Sequence, residues 1–458
     1  MYRTKAAVAV TLAGVLLAGC SADGDGGSDT GKGDKGSGTT APSLAELTVP
    51  SAYDGAKGWD QEIDWVPENT ESQMPVTTDG ETVAYVLRSG DGYTVQARDS
   101  TTGKVRWTSA RFQVPAEITD EPNLGYSEDN PELPQVTVVR QGGRTYLASW
   151  AHGTQEGDAL NESREVVQIN LYEMDSSGSS VAPLRRVSVP VDDVRAFTIK
   201  VYDSGGGAGL VVSWEEPSRN LGATVDATTG RLTKYDNPGS LVPECPSACV
   251  YGDVVAVTSK GAAGANNVGG FGVKGGWASQ DIAPKGADPG RISNGGYVSG
   301  SFVGVDSGKF LATWKAADGT DTRFWSAHDL NSGRLLASTA CAAGGTENVT
   351  DAVASLNGRY LGLNSVVFDV KSGTGLCLEG DDTRRPINIR ALGDDGTAYG
   401  ETDAESGATP MVELKVSDGE PKVLPEGTQL PAAILKEAAL FTLRENGAGL
   451  LISVRRNA

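Results

Sequence analysis

The stretch ARDSTTGKVRW, Ala97 to Trp107, joins one strand-forming run to another through Asp99-Ser100-Thr101-Thr102-Gly103. An aspartate accepts backbone N–H groups from the residues that follow it, and a hydroxyl does the same. Glycine takes the left-handed conformation that returns the second strand with the twist of the first. The spelling D-x-x-[ST]-G therefore predicts a hairpin turn, with Asp99 and Gly103 in structural rather than acid–base roles. It returns at Asp226–Gly230 (DATTG), Asp329–Gly333 (DLNSG) and Asp369–Gly373 (DVKSG), each after a β-rich run such as RFWSAHD or SVVFD. YDGAKG at 53–58 and VSDGE at 416–420 are looser relatives.

Asp329 and Asp369 lie 40 residues apart, the length of one four-stranded propeller blade. Strand signals in the remaining intervals give blades near 74–112, 136–190, 196–236, 242–280, 296–340, 350–380 and 388–425. The C-terminal runs AAILK, ALFTLR and LLISVRR supply three more strands and WDQEIDW near the N-terminus a fourth. The expected fold is all-β: a single β-propeller over 46–458 with eight four-stranded blades, seven being the alternative count. Pairing of the N- and C-terminal strands closes it and removes exposed sheet edges. The 40-residue spacing argues against a β-sandwich array.

The aspartate, T-G-K turn and tryptophan of Ala97–Trp107 resemble the repeat of quinoprotein-type (PQQ-type) β-propellers. The resemblance implies that Trp107 docks between neighbouring blades, with Trp65 and Tyr235 in similar places. The family's cofactor chemistry does not accompany it: there is no Cys-Cys dipeptide and no C-x-x-C-H, and no cofactor is expected. GFGVKG at Gly270–Gly275 completes a G-x-G-x-x-G, but lacks the preceding strand and following helix of a dinucleotide site.

At the N-terminus, Arg3 and Lys5 precede the short apolar run AAVAVTLAGVLLAGC, so residues 1–19 read as a signal peptide rather than a membrane span. Leu17-Ala18-Gly19-Cys20 resembles the lipobox of bacterial lipoproteins. That implies a lipidated Cys20, carrying palmitate, and attachment to the extracytoplasmic face of the cell membrane. Residues 20–45, rich in Gly, Ser and Asp, predict a flexible tether reaching roughly 25–30 Å. Fifty-nine acidic against 39 basic residues give a net charge of −20. This argues against nucleic acid as a partner and against contact with anionic lipid beyond the anchor.

Setting Cys20 aside leaves Cys245, Cys249, Cys341 and Cys377, an even number in an oxidising compartment and hence two expected disulfides. Three connectivities are open. The closeness of Cys245 and Cys249 favours a local loop, leaving Cys341 with Cys377. Without a C-x-x-C pair, and with two histidines in the whole chain, no metal site is expected.

His328 sits beside Asp329 in a repeat turn and reads as structural, whereas His152 borders a long loop. No nucleophile signature accompanies either, and no catalytic residue is nominated. With blade strands labelled A to D from the axis outward, PAEITDEPNLGYSEDNPELP at 115–134 is a D-to-A connection. HGTQEGDALNESRE at 152–165 and KGAAGANNVGG at 260–270 read as B-to-C loops. All three are expected on one face, opposite the repeat turns, and the first is expected to contribute little to the core. Tyr126, amid Glu117, Asp120, Glu121, Glu128, Asp129 and Glu132, forms with His152 a candidate binding loop for a cation or a basic partner. Two function classes follow. One is a non-catalytic binding or scaffold surface for an extracellular protein, peptide or envelope component. The alternative is an extracellular enzyme using carboxylates, a metal or a quinone cofactor in the central opening. The missing motifs favour the first.

Overall fold

The computed structural model describes residues 44–458 except 68–69, 71–72, 119–120, 127–130, 244–251, 267–269, 291–299, 343–351, 381–382, 403–407 and 445–448. Residues 1–43, Cys20 among them, and Asp120, Glu128, Asp129, Cys245 and Cys249 lie outside the described residues. Among the described residues the regular secondary structure is nearly all strand; its α-helix is the single turn Ser279–Ile282, and no helix is long and apolar enough to cross a membrane.

The strands fall into antiparallel meanders, and the fold is an all-β propeller. Val76–Thr78, Thr82–Ser89, Gly92–Asp99 and Val105–Ser109 form the first unit. The second comprises Gln135–Gln141, Arg144–Gln155, Arg164–Glu173 and Arg185–Pro190, and the third begins at Lys200–Asp203 and ends at Leu232–Tyr235. Asp253–Thr258, Gly261–Asn266 and Gly270–Val273 make the fourth, whose outer edge is the bridge between Gly272 and Ala278. Later units open at Gly300, Val353 and Ile387. In the last sheet, Ala433–Ile434, Ala438–Arg444 and Leu450–Asn457 are completed by Tyr53–Ile63, which sets Trp59 opposite Val454.

Packing between units explains the near-continuous apolar run at Thr82–Ser89, whose side chains alternate between two neighbours. Val83 and Tyr85 enter a cluster with Leu440, Ile452 and Val454 of the last unit. Ala84 and Val86 enter another with Val136, Val138 and Leu147 of the second. In the same way, Phe310 and Ala312 face the fourth unit while Leu311 faces the sixth.

The D-x-x-[ST]-G turns have the expected chemistry. Asp99 Oδ1 accepts the Thr102 N–H and hydroxyl, both at 2.8 Å, and Gly103 N–H donates to the Asp99 carbonyl at 2.9 Å. Asp226 with Thr229 and Asp329 with Ser332 repeat the pattern. At Asp369 the Ser372 hydroxyl turns instead to the Asp369 carbonyl, and Arg359 makes two bonds to the carboxylate. Burial would raise the Asp99 carboxyl, but bonds from Arg106 and Thr102 hold it down to about 2.

Each turn also receives its neighbour. Trp59 Nε1–H donates to the Ser100 carbonyl at 3.1 Å and its ring covers Gly103 (φ +70°), where a Cβ would lie 2.6 Å from the indole. Trp277 repeats this on Leu330 and Gly333. Trp107, fully buried, donates to the Met174 carbonyl of the second unit at 3.0 Å. One of the expected positions changes. Trp59, not Trp65, takes the docking place of its unit, because Trp65 follows the strand and bonds Val86 O instead. Tyr235, at the end of the third unit, packs toward Val254 of the fourth. Cys341 and Cys377 form a disulfide with Cα atoms 5.8 Å apart, joining the outer strands of the fifth and sixth units.

Trp107→Ala removes an indole that fills the boundary between the first two units. Chemical denaturation is expected to show a loss of about 3–5 kcal/mol, and an unchanged midpoint would contradict the docking role.

Candidate functional site

On the face opposite the repeat turns, three connecting segments meet. Residues 115–134 run from the first unit to the second, 152–165 join the middle strands of the second, and 191–199 lead from the second to the third. Ala116 and Thr154 exchange backbone bonds at 2.8 and 2.7 Å, and Ala196 N–H donates to Leu124 O at 2.9 Å. Of the 260–270 segment, 267–269 lie outside the described residues, and Gly261–Asn266 is the second strand of the fourth unit rather than loop. Its small residues are demanded by packing: a Cβ on Gly264 would meet Leu241 Cβ at 2.8 Å and Pro238 O at 2.9 Å.

His152 stands at the junction. Its Nδ1 is 2.6 Å from Glu132 Oε2 and its Nε2 2.8 Å from Glu165 Oε1. Both partners are carboxylates, which accept, so both ring nitrogens carry protons and the ring is an imidazolium. Burial disfavours that charge, but the bonds and charges of the two glutamates outweigh it and push the group up from 6.5 to about 9. The imidazole side chain is 1% exposed and the carboxylates 14% and 17%, so water reaches the acids but not the base. The second oxygen of Glu132 accepts the Phe197 N–H at 2.6 Å. Tyr126 is buried with its hydroxyl 3.4 Å from His152 Nδ1, and burial together with Glu132 and Glu165 raises its phenol.

Of the candidate loop residues, Glu132, Tyr126 and His152 come together, while Glu117 and Glu121 are exposed on the same insertion. The insertion is no dispensable surface connection, because Leu133 joins the core shared by the first and last units and Tyr126 is buried. Glu165 and the 191–199 segment escaped sequence reading, since the contacts that give them meaning are not local.

His328 contrasts with His152. It is fully buried, 4.9 Å from the Phe310 ring and parallel to it, and burial lowers it to about 4. Its Nδ1–H donates to Gly333 O at 3.0 Å, leaving Nε2 to accept the Ser326 hydroxyl at 2.8 Å. It packs one repeat turn. Among the described residues, the one grouping of metal-ligating types with ligand atoms close enough to share an ion is Cys341, Cys377 and Glu379, whose two sulfurs are bonded to each other.

No family model and no curated protein matches the chain. Similar solved structures include the WD40 domain of Toxoplasma gondii coronin, at 9% identity and TM-score 0.32, covering 90% of this chain and 89% of that one. The Dos1 propeller shares 10% identity at TM-score 0.34, over 90% and 82%. TolB from Acinetobacter baumannii shares 10% at 0.30, over 84% and 65%. These likenesses carry nothing about activity.

The raised His152 pKa fixes a pH dependence. A group held charged by the fold contributes stability that is fully present below its unfolded value near 6.5 and is lost as pH rises through about 9. The thermal midpoint is expected to fall across that window in the wild type and much less in His152→Gln. At neutral pH, His152→Leu leaves two glutamates unpaired and is expected to cost about 3 kcal/mol. Parallel pH profiles of wild type and His152→Gln would remove the charge from this site.

Proposed function

We propose that the chain is an extracytoplasmic lipoprotein, anchored through Cys20, whose eight-bladed, quinoprotein-like propeller presents a non-catalytic binding face to a protein, peptide or envelope component. The observation that carries the binding face is the convergence of 115–134, 152–165 and 191–199 on His152, opposite the short repeat turns. Binding residues concentrate on connections that a rigid scaffold positions, and a locked charge pair supplies such positioning. Support for the anchor comes from the basic residues, short apolar run and Leu-Ala-Gly-Cys ending at Cys20, followed by a polar segment. Trp59, Trp107 and Trp277, each bonded to a neighbouring turn or strand end, support the repeat type.

A second reading, catalysis at the central opening, draws on Asp203 and Asp306 at the ends of the first strands of the third and fifth units. Burial and the neighbouring Asp306 raise Asp203 to about 6, although the backbone N–H groups of Gly205 and Arg140 oppose the rise; burial raises Asp306 as well. Metal or quinone recovered with the purified protein would favour this reading.

Metabolic labelling with a fatty acid is expected to mark the wild type and not Cys20→Ala, which should be released or remain unprocessed; an unlabelled wild type removes the anchor. For the face, a photo-crosslinking residue at Glu121 or Leu160 is expected to capture a partner in the native cells, and one at exposed Val105 or Val423 on the outer strands is not. Replacing only the exposed tip 156–163 by a short turn should leave the melt intact while abolishing capture.

A further inference from the structure

The three convergent segments differ from the rest of the surface in what they expose. Val105, Leu184, Leu335 and Val423 are exposed apolar residues scattered along or beside outer strands, and Leu356 lies in a turn of the sixth unit. Leu160 and Phe197 instead stand in the segments tied together through His152. Leu160 is 93% exposed at the tip of the 152–165 hairpin. Asp158 Oδ1 accepts its N–H at 2.7 Å and that of Asn161 at 2.9 Å, so the tip is a formed turn that presents the side chain outward. Phe197 is 38% exposed and holds φ at +63°, a region bulky side chains rarely enter. Glu132, anchored by the His152 imidazolium, accepts its N–H and fixes that backbone.

The described residues of 115–134, 152–165 and 191–199 carry nine carboxylates, of which Glu132 and Glu165 are taken up by His152, and two arginines. One of the arginines, Arg195, is within 3.4 Å of Glu215. Such a surface repels a second copy of this chain, at net charge −20, and equally anionic lipid or nucleic acid. The chain's own segment 21–43 is no better suited, with four aspartates against two lysines. We infer that this face docks a basic, amphipathic peptide segment of another protein, with Leu160 and Phe197 as apolar anchors and the surrounding carboxylates meeting its lysines or arginines. The inference rests on the proposed binding face and adds the chemistry of its partner. Charge complementarity sets the approach and its salt dependence, and the anchors set the hold.

The test is fluorescence anisotropy of the full-length protein with two labelled probes, one alternating leucine and lysine and one alternating serine and lysine. The wild type is expected to bind the leucine–lysine probe more tightly than the serine–lysine probe. Leu160→Ser combined with Phe197→Ser should weaken the first by at least about tenfold, leave the second unchanged, and be matched by no effect of Val423→Ser on the outer edge. Leu160→Ser alone, at a side chain exposed on all sides, carries the test if the double variant melts early, and is then expected to lose affinity severalfold. Equal binding of the two probes, full binding by the variants, or no binding by the wild type each overturns the inference. Partner crosslinks from Leu160 in the native cells without probe binding would reject this partner chemistry while leaving the face in place. Crosslinks confined to the outer strands would reject the face itself.

Discussion

Asp60 and Arg455 meet where the two ends of the chain come together. Arg455 is fully buried; its Nη1 lies 2.6 Å from Asp60 Oδ1, and Nη2 donates to the Ala45 carbonyl at 3.0 Å. Asp60 also accepts the Ala45 N–H and the Ser453 hydroxyl. Burial alone would raise its carboxyl, but the bonds from Arg455, Ala45 and Ser453 bring it below the ordinary range. Such a pair adds little net stability compared with an apolar contact. Its effect is on register, for Asp60 sits opposite Ser453 and Trp59 opposite Val454, and a slip of one residue would turn the carboxylate to the other side of the sheet. The inner strands are apolar on both faces, so no unit can bury its surface alone, and the first needs the last as its neighbour.

What passes from unit to unit is a side chain laid on a turn. Gly103 and Gly333 receive tryptophans; Gly230 receives the stems of Arg185 and Val187, and Gly419 receives Leu376. The turn is more regular than the group that covers it, because the turn is set by local hydrogen bonds while the cover need only match a shape. That asymmetry explains how much of the fold was legible. The turns at Asp99, Asp226, Asp329 and Asp369 can be read from five residues each. Trp59 and Trp277 could not be assigned to their turns in the same way, since their partners lie 41 and 53 residues away. Gly261–Asn266 was misread as loop because its glycines and alanines look like linker until Pro238 and Leu241 are seen against them.

The site was legible in part for a similar reason. His152 stood out as a scarce residue beside a long loop, and Glu132 and Tyr126 belonged to an acidic insertion already marked as unusual. That the two acids and the base form one cluster depends on a strand pairing in which His152 faces Val167, and on a connection that returns from the first unit. Segment 191–199 carried no signal beyond two aspartates and one aromatic residue. Its place follows from Glu132 accepting the Phe197 N–H, a contact spanning 65 residues.

The two histidines show how the propeller's faces are held by different forces. Around His328 the turn face is fixed by aromatic packing and one neutral ring, with Phe310 and Trp314 against it. Around His152 the opposite face is fixed by a buried cation shared between two acids that water still touches. A charge-held junction can order long polar connections that bury only a few apolar side chains, as the acidic insertion does with Tyr126 and Leu133. While Leu133, Val191, Val194 and Ile199 of the same connections enter the core, two apolar side chains on them are left out of it. Leu160 and Phe197 can then remain at the surface, held in place by backbone bonds to Asp158 and Glu132 rather than by burial of their own side chains.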